Sequence, residues 1–274
     1  MPTTLKILTV SDLHRSPALY SLLREAVEQH HADVLALVGD FLDGFGGSDK
    51  LSNEQCALLL GELPSKEIVF VRGNHEDEAW LHFATAWPHA RRKLHALHGE
   101  AFVHGPLVII GFPCLLGMEE AFVGTRAPLP VDPELWLAEV LRPFSASPRA
   151  LWLMHEPPFG TPLSQREGPL SGNLEWVVAI LRWSPWITVS GHDHRSPIEN
   201  NCWHCRIQDT TCVNVGQSDN GPLHYCIIEA TFPETTPCLP QLIKVTAFPA
   251  NETIRLSYSP DGRIEYSWQR GGLA

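Results

Sequence analysis

Short apolar runs alternate with longer amphipathic stretches through the first two-thirds of the chain. Leu5 to Val10, Val34 to Val38 and Ile68 to Val71 are short and rich in β-branched residues, which marks strands buried on both faces. Between them, Ala18 to His30 places Leu19, Leu22, Leu23, Ala26 and Val27 on one helical face. Asn53 to Leu63 reads as a second helix with Asn53 as its N-cap. Strands and helices in this order open a mostly parallel α/β sheet. Farther along, Leu107 to Gly111, Ala150 to Met154 and Ile187 to Ser190 read as strands, with helices from about Pro133 to Leu141 and from Asn173 to Trp183. Phe112 to Pro133 and Glu156 to Pro169 are rich in Pro and read as long loops over the core.

From Cys202 onward the helical periodicity disappears. Val213 to Val215, His224 to Ala230, Leu242 to Ala247 and Thr253 to Tyr258 read as strands of antiparallel hairpins, which predicts a second sheet packed against the first. No internal repeat or low-complexity linker interrupts the chain. The expectation is one domain over residues 1–274, with a C-terminal β-hairpin extension from about residue 220 to residue 274.

At 274 residues the chain can bury an ample core without staples. No apolar run is long enough to span a bilayer, so no membrane partner is expected. The net charge of −11 repels polyanions and makes nucleic acid an unfavoured partner. Seven scattered cysteines do not describe a disulfide framework. The run from Met1 into Leu5–Val10 is too short for a signal peptide, so the expected location is the reducing cytoplasm. Cys202, Cys205 and Cys212 invite a structural zinc reading, but a second pair at matching spacing is absent and unbridged thiols fit better.

Chemistry concentrates in five short motifs, each at or just beyond the carboxyl end of a predicted strand, where open α/β sheets place their ligands. They are Asp12-Leu13-His14, Gly39-Asp40, Gly73-Asn74-His75-Glu76, His155 and Gly191-His192-Asp193-His194. Carboxylate, imidazole and amide oxygen together suit Mn²⁺, Fe, Zn²⁺, Co²⁺ or Ni²⁺ rather than a thiolate metal. Two such ions about 3.5–4 Å apart grip a phosphate and activate water. Asp40 is the natural carboxylate to be shared between them.

These motifs resemble, element by element and in order over Leu5 to Gln217, those of the calcineurin-like metallophosphoesterases: Asp-x-His, Gly-Asp, Gly-Asn-His-Glu or Asp, an isolated His, and Gly-His-x-His. The resemblance implies a four-layer α/β/β/α sandwich of two mixed sheets flanked by helices. It places Asp12, His14 and His194 on one divalent metal and Asn74, His155 and His192 on the other, bridged by Asp40, with manganese as the leading metal. His75 is then a catalytic group beside the phosphate rather than a ligand. Asp43 matches the residue that orients that histidine in the phosphoprotein phosphatases; its alternative is a simple turn residue. Arg15 and Arg72 adjoin ligands and are candidate phosphate contacts, with surface ion pairs as the alternative.

Departures narrow the branch. Gly44 stands where phosphoprotein phosphatases carry an Arg, and Asp43 stands where purple acid phosphatases carry a metal-binding Tyr. His155-Glu156-Pro157-Pro158 resembles an element of the small phosphodiesterase branches, and Val213-Asn214-Val215-Gly216 resembles the turn that follows the last ligand. The expected activity is hydrolysis of a small phosphodiester or phosphomonoester by metal-bound hydroxide. The alternatives are a DNA exonuclease of the same superfamily, disfavoured by the acidic balance, and a non-catalytic scaffold, which needs neither His75 nor a full ligand set.

Overall fold

Strands that are apolar on both faces need a layer on either side, and three hydrophobic clusters supply those layers. The computed structural model describes residues 2–42, 49–76, 93–114, 138–142, 150–165, 172–217, 221–234, 239–259 and 263–270. Its first sheet contains β1 (Thr3–Val10), β2 (Val34–Val38), β3 (Glu67–Val71) and β4 (Leu94–Ala96), parallel to one another. The second contains β5 (Glu100–His104), β6 (Leu107–Phe112), β7 (Leu151–Met154), β8 (Ile187–Ser190), β9 (His204–Ile207) and β10 (Thr210–Asn214), in the order β5-β6-β7-β8-β10-β9.

Ile7, Val34, Ala36, Val38 and Val69 of the first sheet meet Ile109, Leu151, Leu153, Ile187 and Val213 of the second in one buried cluster. Each such Val, Leu or Ile side chain, fully buried, contributes about 1.5–3 kcal/mol of transfer free energy. The outer face of the first sheet, with Leu8, Leu35 and Phe70, packs on α1 (Pro17–His30) and α2 (Asn53–Glu62) through Leu19, Leu23, Cys56 and Leu60. The outer face of the second, with Ile110, Trp152 and Met154, packs on α3 (Leu174–Trp183) through Trp176 and Ile180. The result is the expected four-layer α/β/β/α sandwich.

Two expectations are corrected. Asn53 does not cap α2: Ser52 does, accepting from the Gln55 amide while the Gln55 side chain accepts from the Ser52 N–H, a reciprocal capping box. Of the C-terminal hairpin strands only the first, expected at Val213 to Val215, falls in the second sheet, where it overlaps the end of β10; the rest do not. β11 (Tyr225–Phe232) pairs antiparallel with β1 from Thr3–Phe232 to Thr9–Cys226, and β12 (Leu242–Phe248), β13 (Glu252–Tyr258) and β14 (Ile264–Gln269) follow it outward in the first sheet. Alternation along a strand tells which face is buried and is silent about which neighbour supplies the hydrogen bonds. The Trp203 indole N–H donates to Glu252 at 2.7 Å and ties the start of β9 to β13 across the layers.

At the entry to β11, Gln217 closes the turn by accepting from the His224 N–H at 2.7 Å and donating to its carbonyl. Burial pushes the His224 imidazole down to about 4, against the opposing pull of the Gly216 backbone. An unfolded chain takes up that proton near pH 6.5 and the folded chain only near 4, so the folded state binds fewer protons between those values. Stability therefore falls as pH drops through this window. His224→Gln is expected to lose less stability than the parent between pH 6.5 and 4, by on the order of 3 kcal/mol at most, as read by urea unfolding across that range. Parallel curves for the two proteins would refute the assignment.

Candidate metal centre

The parallel strands all end at one rim, and the residues just past those ends converge there. Asp12 and His14 follow β1, Asp40 follows β2, Asn74 and His75 follow β3, His155 follows β7, and His192 and His194 follow β8. Asp12, His14, Asp40 and His192 all have left-handed backbone, with φ of 56°, 44°, 50° and 62°. That conformation is costly for residues other than glycine and clusters at functional sites. It turns each chain sharply enough to aim the side chain back across the rim.

Close backbone approach explains the motif glycines. A Cβ on Gly73 would stand 2.1 Å from Asp40 Oδ1, and one on Gly191 would stand 1.8 Å from Ser11 Oγ. Gly39, at φ 85°, sits where a Cβ would meet His155 Nδ1 at 2.3 Å. The loops are stitched through their backbones: Asp12 N–H to the Gly39 carbonyl at 3.0 Å, His14 N–H to the Asp40 carbonyl at 2.9 Å, and Gly191 N–H to the His155 carbonyl at 2.8 Å. Bonds also cross between the sheets. His192 N–H donates to the Asp12 carboxylate at 3.1–3.2 Å, and the His155 ring places Nδ1 2.8 Å from the Val38 carbonyl.

Three groups of side chains each bring potential ligand atoms within 4.8 Å of one another: Asp12, His14 and His194; His14, Asp40 and His75; and Asp40, His155 and His192. Asn74 Oδ1 lies 3.0 Å from both His155 Nε2 and His192 Nδ1. His155 Nε2 is 3.1 Å from Asp40 Oδ2, and His194 Nε2 is 3.1 Å from Asp12 Oδ1. Asp40 is shared by the second and third groups and His14 by the first and second, and Asp40 Oδ1 also accepts from the His75 N–H at 2.9 Å. Among the described residues no cysteine belongs to such a group.

Electrostatics show how unbalanced this cluster is without a cation. Burial opposes ionisation of Asp12, yet His194, His155 and His14 hold its carboxyl well below the usual range. Asp40 is lowered in the same way, by His155 against burial. Burial pulls the His155 imidazole down, but Asp40 and Asp12 push it up to about 10. Burial and the charge of His155 then drive His192 down to about 4.

The tautomer of His155 tests whether a metal fits. With its Nδ1 proton donated to the Val38 carbonyl, a neutral ring turns its Nε2 lone pair toward Asp40 Oδ2 and Asn74 Oδ1. Three lone-pair atoms then converge, which is repulsive unless a proton or a cation lies among them. Ligands about 2.1 Å from one ion and about 90° apart lie ~3.0 Å from each other, the spacing found here. A carbonyl on the far nitrogen of a ligating histidine is also the usual orienting partner. Carboxylates, imidazoles and an amide oxygen suit a divalent cation of borderline hardness.

Arg15 and Arg72 stand at the rim, half-buried. The Arg15 carbonyl accepts from Leu51 N–H, and its charge acts on the Cys56 thiol and Tyr20 hydroxyl behind the rim. The Arg72 carbonyl accepts from Cys114 N–H at 2.8 Å. Asp43 lies outside the described residues.

The motif readings missed two acidic positioning residues. Glu76, fully buried, accepts from the N–H groups of Asp40 at 2.9 Å, Leu42 at 2.9 Å and Gly73 at 2.7 Å. Burial and Asp40 push its carboxyl up to about 8 against these donors. Asp193, also fully buried, accepts from the N–H groups of Gln165 and Arg195 and from both the N–H and the hydroxyl of Ser196. Their signal was present as the acid closing Gly-Asn-His-Glu and the middle residue of His-x-His. Asn214 completes the frame, its amide donating to the Leu163 and Asp193 carbonyls.

Beside this rim lies a cavity of 270 Å³ lined by Pro197, Ile198, Trp203, Pro222, His224 and Pro249, among others. The helical turn α4 (Arg195–Ile198) begins directly after His194, and the register that pairs Thr9 with Cys226 carries His224 to the level of Ser11.

The sequence model of the calcineurin-like phosphoesterases matches residues 5–196. A search of curated proteins finds no match. Among solved structures, a dimetal phosphatase from Danio rerio superposes with a TM-score of 0.59 at 13% identity, over 97% of this chain and 98% of that one. TT1561 of Thermus thermophilus gives 0.57 at 15% identity over 84% and 98%. An NAD nucleotidase from Haemophilus influenzae gives 0.54 at 12% identity over 97% of this chain and 54% of its own.

Truncating the carboxylate that gathers three loop amides leaves buried donors unmet. Glu76→Ala is expected to destabilise the metal-stripped protein by about 3 kcal/mol or more, as read from the urea midpoint; an unchanged midpoint would refute the clamp.

Proposed function

The chain belongs to the calcineurin-like phosphoesterase family and is a phosphoester hydrolase, and on that premise we propose that it cleaves a small phosphodiester or, less readily, a phosphomonoester at two divalent cations. Asp12, His14 and His194 hold one cation, Asn74, His155 and His192 hold the other, and Asp40 contributes to both. The observation that carries this assignment is His155 Nε2 facing two oxygens at 3.0–3.1 Å with its other nitrogen committed to a carbonyl. Manganese leads among the metals suited to these donors, followed by iron, zinc, cobalt and nickel.

When bound, the two cations supply the positive charge that grips phosphate and the acidity that readies water for in-line attack. The protein's own groups do the rest. His75 has its ring 20% exposed, its N–H fixed to Asp40 Oδ1 and its Nε2 3.9 Å from Asp40 Oδ2. In the proposed reaction it donates a hydrogen bond to the phosphoryl oxygens or a proton to the leaving oxygen. The family resemblance gives Asp43, outside the described residues, the role of orienting His75, and Arg15 and Arg72 are candidate phosphate contacts.

The cavity beside α4 supports the diester reading. A diester keeps a second substituent through the reaction, and a partly apolar recess at the rim offers that substituent a place. The charge of −11 weighs against a long polyanion. No described helix is long and apolar enough to cross a membrane. The scattered cysteines support a reducing cytoplasm as its location.

Metal-stripped protein reloaded with Mn²⁺ is expected to hydrolyse bis-p-nitrophenyl phosphate or a cyclic nucleotide faster than p-nitrophenyl phosphate, and to leave single-stranded DNA intact. DNA cleavage alone would replace this reading with an exonuclease, and absence of turnover on the whole panel would favour a scaffold. Asp40→Asn should lower bound metal measured by elemental analysis. His75→Ala should cut turnover by about a hundredfold or more with metal content retained; undiminished turnover would refute the role of His75.

A further inference from the structure

Outside the carboxylate and imidazole cluster, the second sheet brings two thiols together. β9 and β10 run antiparallel with Cys205 directly opposite Cys212. The Asn214 N–H donates to the Trp203 carbonyl at 2.8 Å, which sets the phase of the ladder. Two residues on, Cys205 and Cys212 are again a hydrogen-bonded pair, with Cα atoms about 5.5 Å apart, inside the range of roughly 4.4–6.8 Å that a disulfide spans.

Directly opposed residues put their side chains on the same face of a sheet. Here it is the α3 side, where Cys212 is buried with Trp152, Leu163 and Trp176 and Cys205 packs against them. Each thiol acts on the ionisation of the other, and the Thr161 hydroxyl acts on that of Cys205. Both thiols are unbridged, Cys205 half-buried at the sheet edge and Cys212 fully buried.

The surroundings divide the labour between them. Cys212 lowers the Cys205 pKa, while Cys205 and burial raise that of Cys212, so the more exposed thiol is also the more acidic. An accessible, acidic thiol beside a buried partner is the arrangement of an attacking cysteine and a resolving one.

We propose that Cys205 and Cys212 form an oxidisable dithiol, a modification site at which a hydroperoxide drives an intramolecular disulfide that lowers turnover at the neighbouring rim. The Cys205 thiolate attacks the peroxide oxygen, the O–O bond breaks and an alcohol or water leaves, and Cys205 becomes a sulfenic acid. The Cys212 sulfur then displaces water and forms the S–S bond. Two thiols lose two hydrogens and two electrons, and the peroxide takes up both.

The route from this pair to the rim is short. The Thr161 hydroxyl donates to the Pro158 carbonyl at 2.8 Å, in the loop that follows His155. Cys212 precedes by two residues Asn214, whose amide holds the Leu163 and Asp193 carbonyls. Drawing two sulfurs on facing strands to a bond of about 2.05 Å therefore shifts β10 and with it Asn214, which anchors both the loop after His155 and the turn after His192.

The turnover part rests on the phosphoesterase reading, and the cross-link does not. The full-length Mn²⁺-loaded protein is treated with hydrogen peroxide, trapped with N-ethylmaleimide and digested with trypsin, which cuts after Arg206 between the two cysteines. A cross-link joining the Cys205 and Cys212 peptides, with turnover reduced several-fold and restored by dithiothreitol, is expected. Cys205→Ser should abolish the cross-link and the reversible loss, and Cys212→Ala serves the same purpose should the first variant fold poorly. Absence of the cross-link, or its formation with turnover unchanged, overturns the proposal. If the untreated protein turns over none of the substrate panel, the functional reading fails and the cross-link alone decides the dithiol.

Discussion

Two carboxylates, Asp12 and Asp40, are buried at the junction of two sheets, and the architecture of the rim answers to that constraint. An ionised carboxylate taken out of water costs several kcal/mol unless charge and hydrogen bonds are returned to it. Here the return comes from histidines drawn from both sheets and from backbone N–H groups such as that of His192. The balance leaves His155 in need of a proton or a cation. A divalent metal meets the same need with more charge in less space.

Holding such a cluster demands rigid supports, and the strand ends provide them. The inter-sheet cluster brings β1, β2 and β3 against β7 and β8, so their ends meet at one rim. Left-handed turns at Asp12, His14, Asp40 and His192 then send the side chains inward. Glu76 gathers the loops after β2 and β3, while Asp193 and Asn214 gather the loops after β7 and β8. These residues touch no substrate in the proposed reaction; they hold the residues that do.

The candidate metal-binding residues and the strands that carry them stand out in the sequence because both signals are local. A buried strand shows itself within a handful of residues, as in Val34 to Val38, and each short motif combines residue types with a glycine that permits close approach. Gly73 and Gly191 have physical reasons for being glycine that only the packing discloses, since a Cβ would collide with Asp40 or Ser11. β4, β5, β9 and β14 escaped the reading: β4 is too short for periodicity, and β5, β9 and β14 lie at sheet edges, half-exposed or exposed, without a continuous apolar face. The cap of α2 was misplaced by one residue because Ser52 and Asn53 are both good capping residues.

By itself the sequence determined that this is a layered α/β protein and which side chains are candidates for a metal centre, because period, capping and motif are properties of neighbouring residues. Tertiary structure decided that β11 to β14 extend the first sheet, that His155 and His192 reach across to Val38 and Asp12, and that Cys205 faces Cys212. Those outcomes depend on which distant backbone satisfies each strand's hydrogen bonds. That choice is made by the burial of whole faces against one another, and alternation along a single strand does not record it.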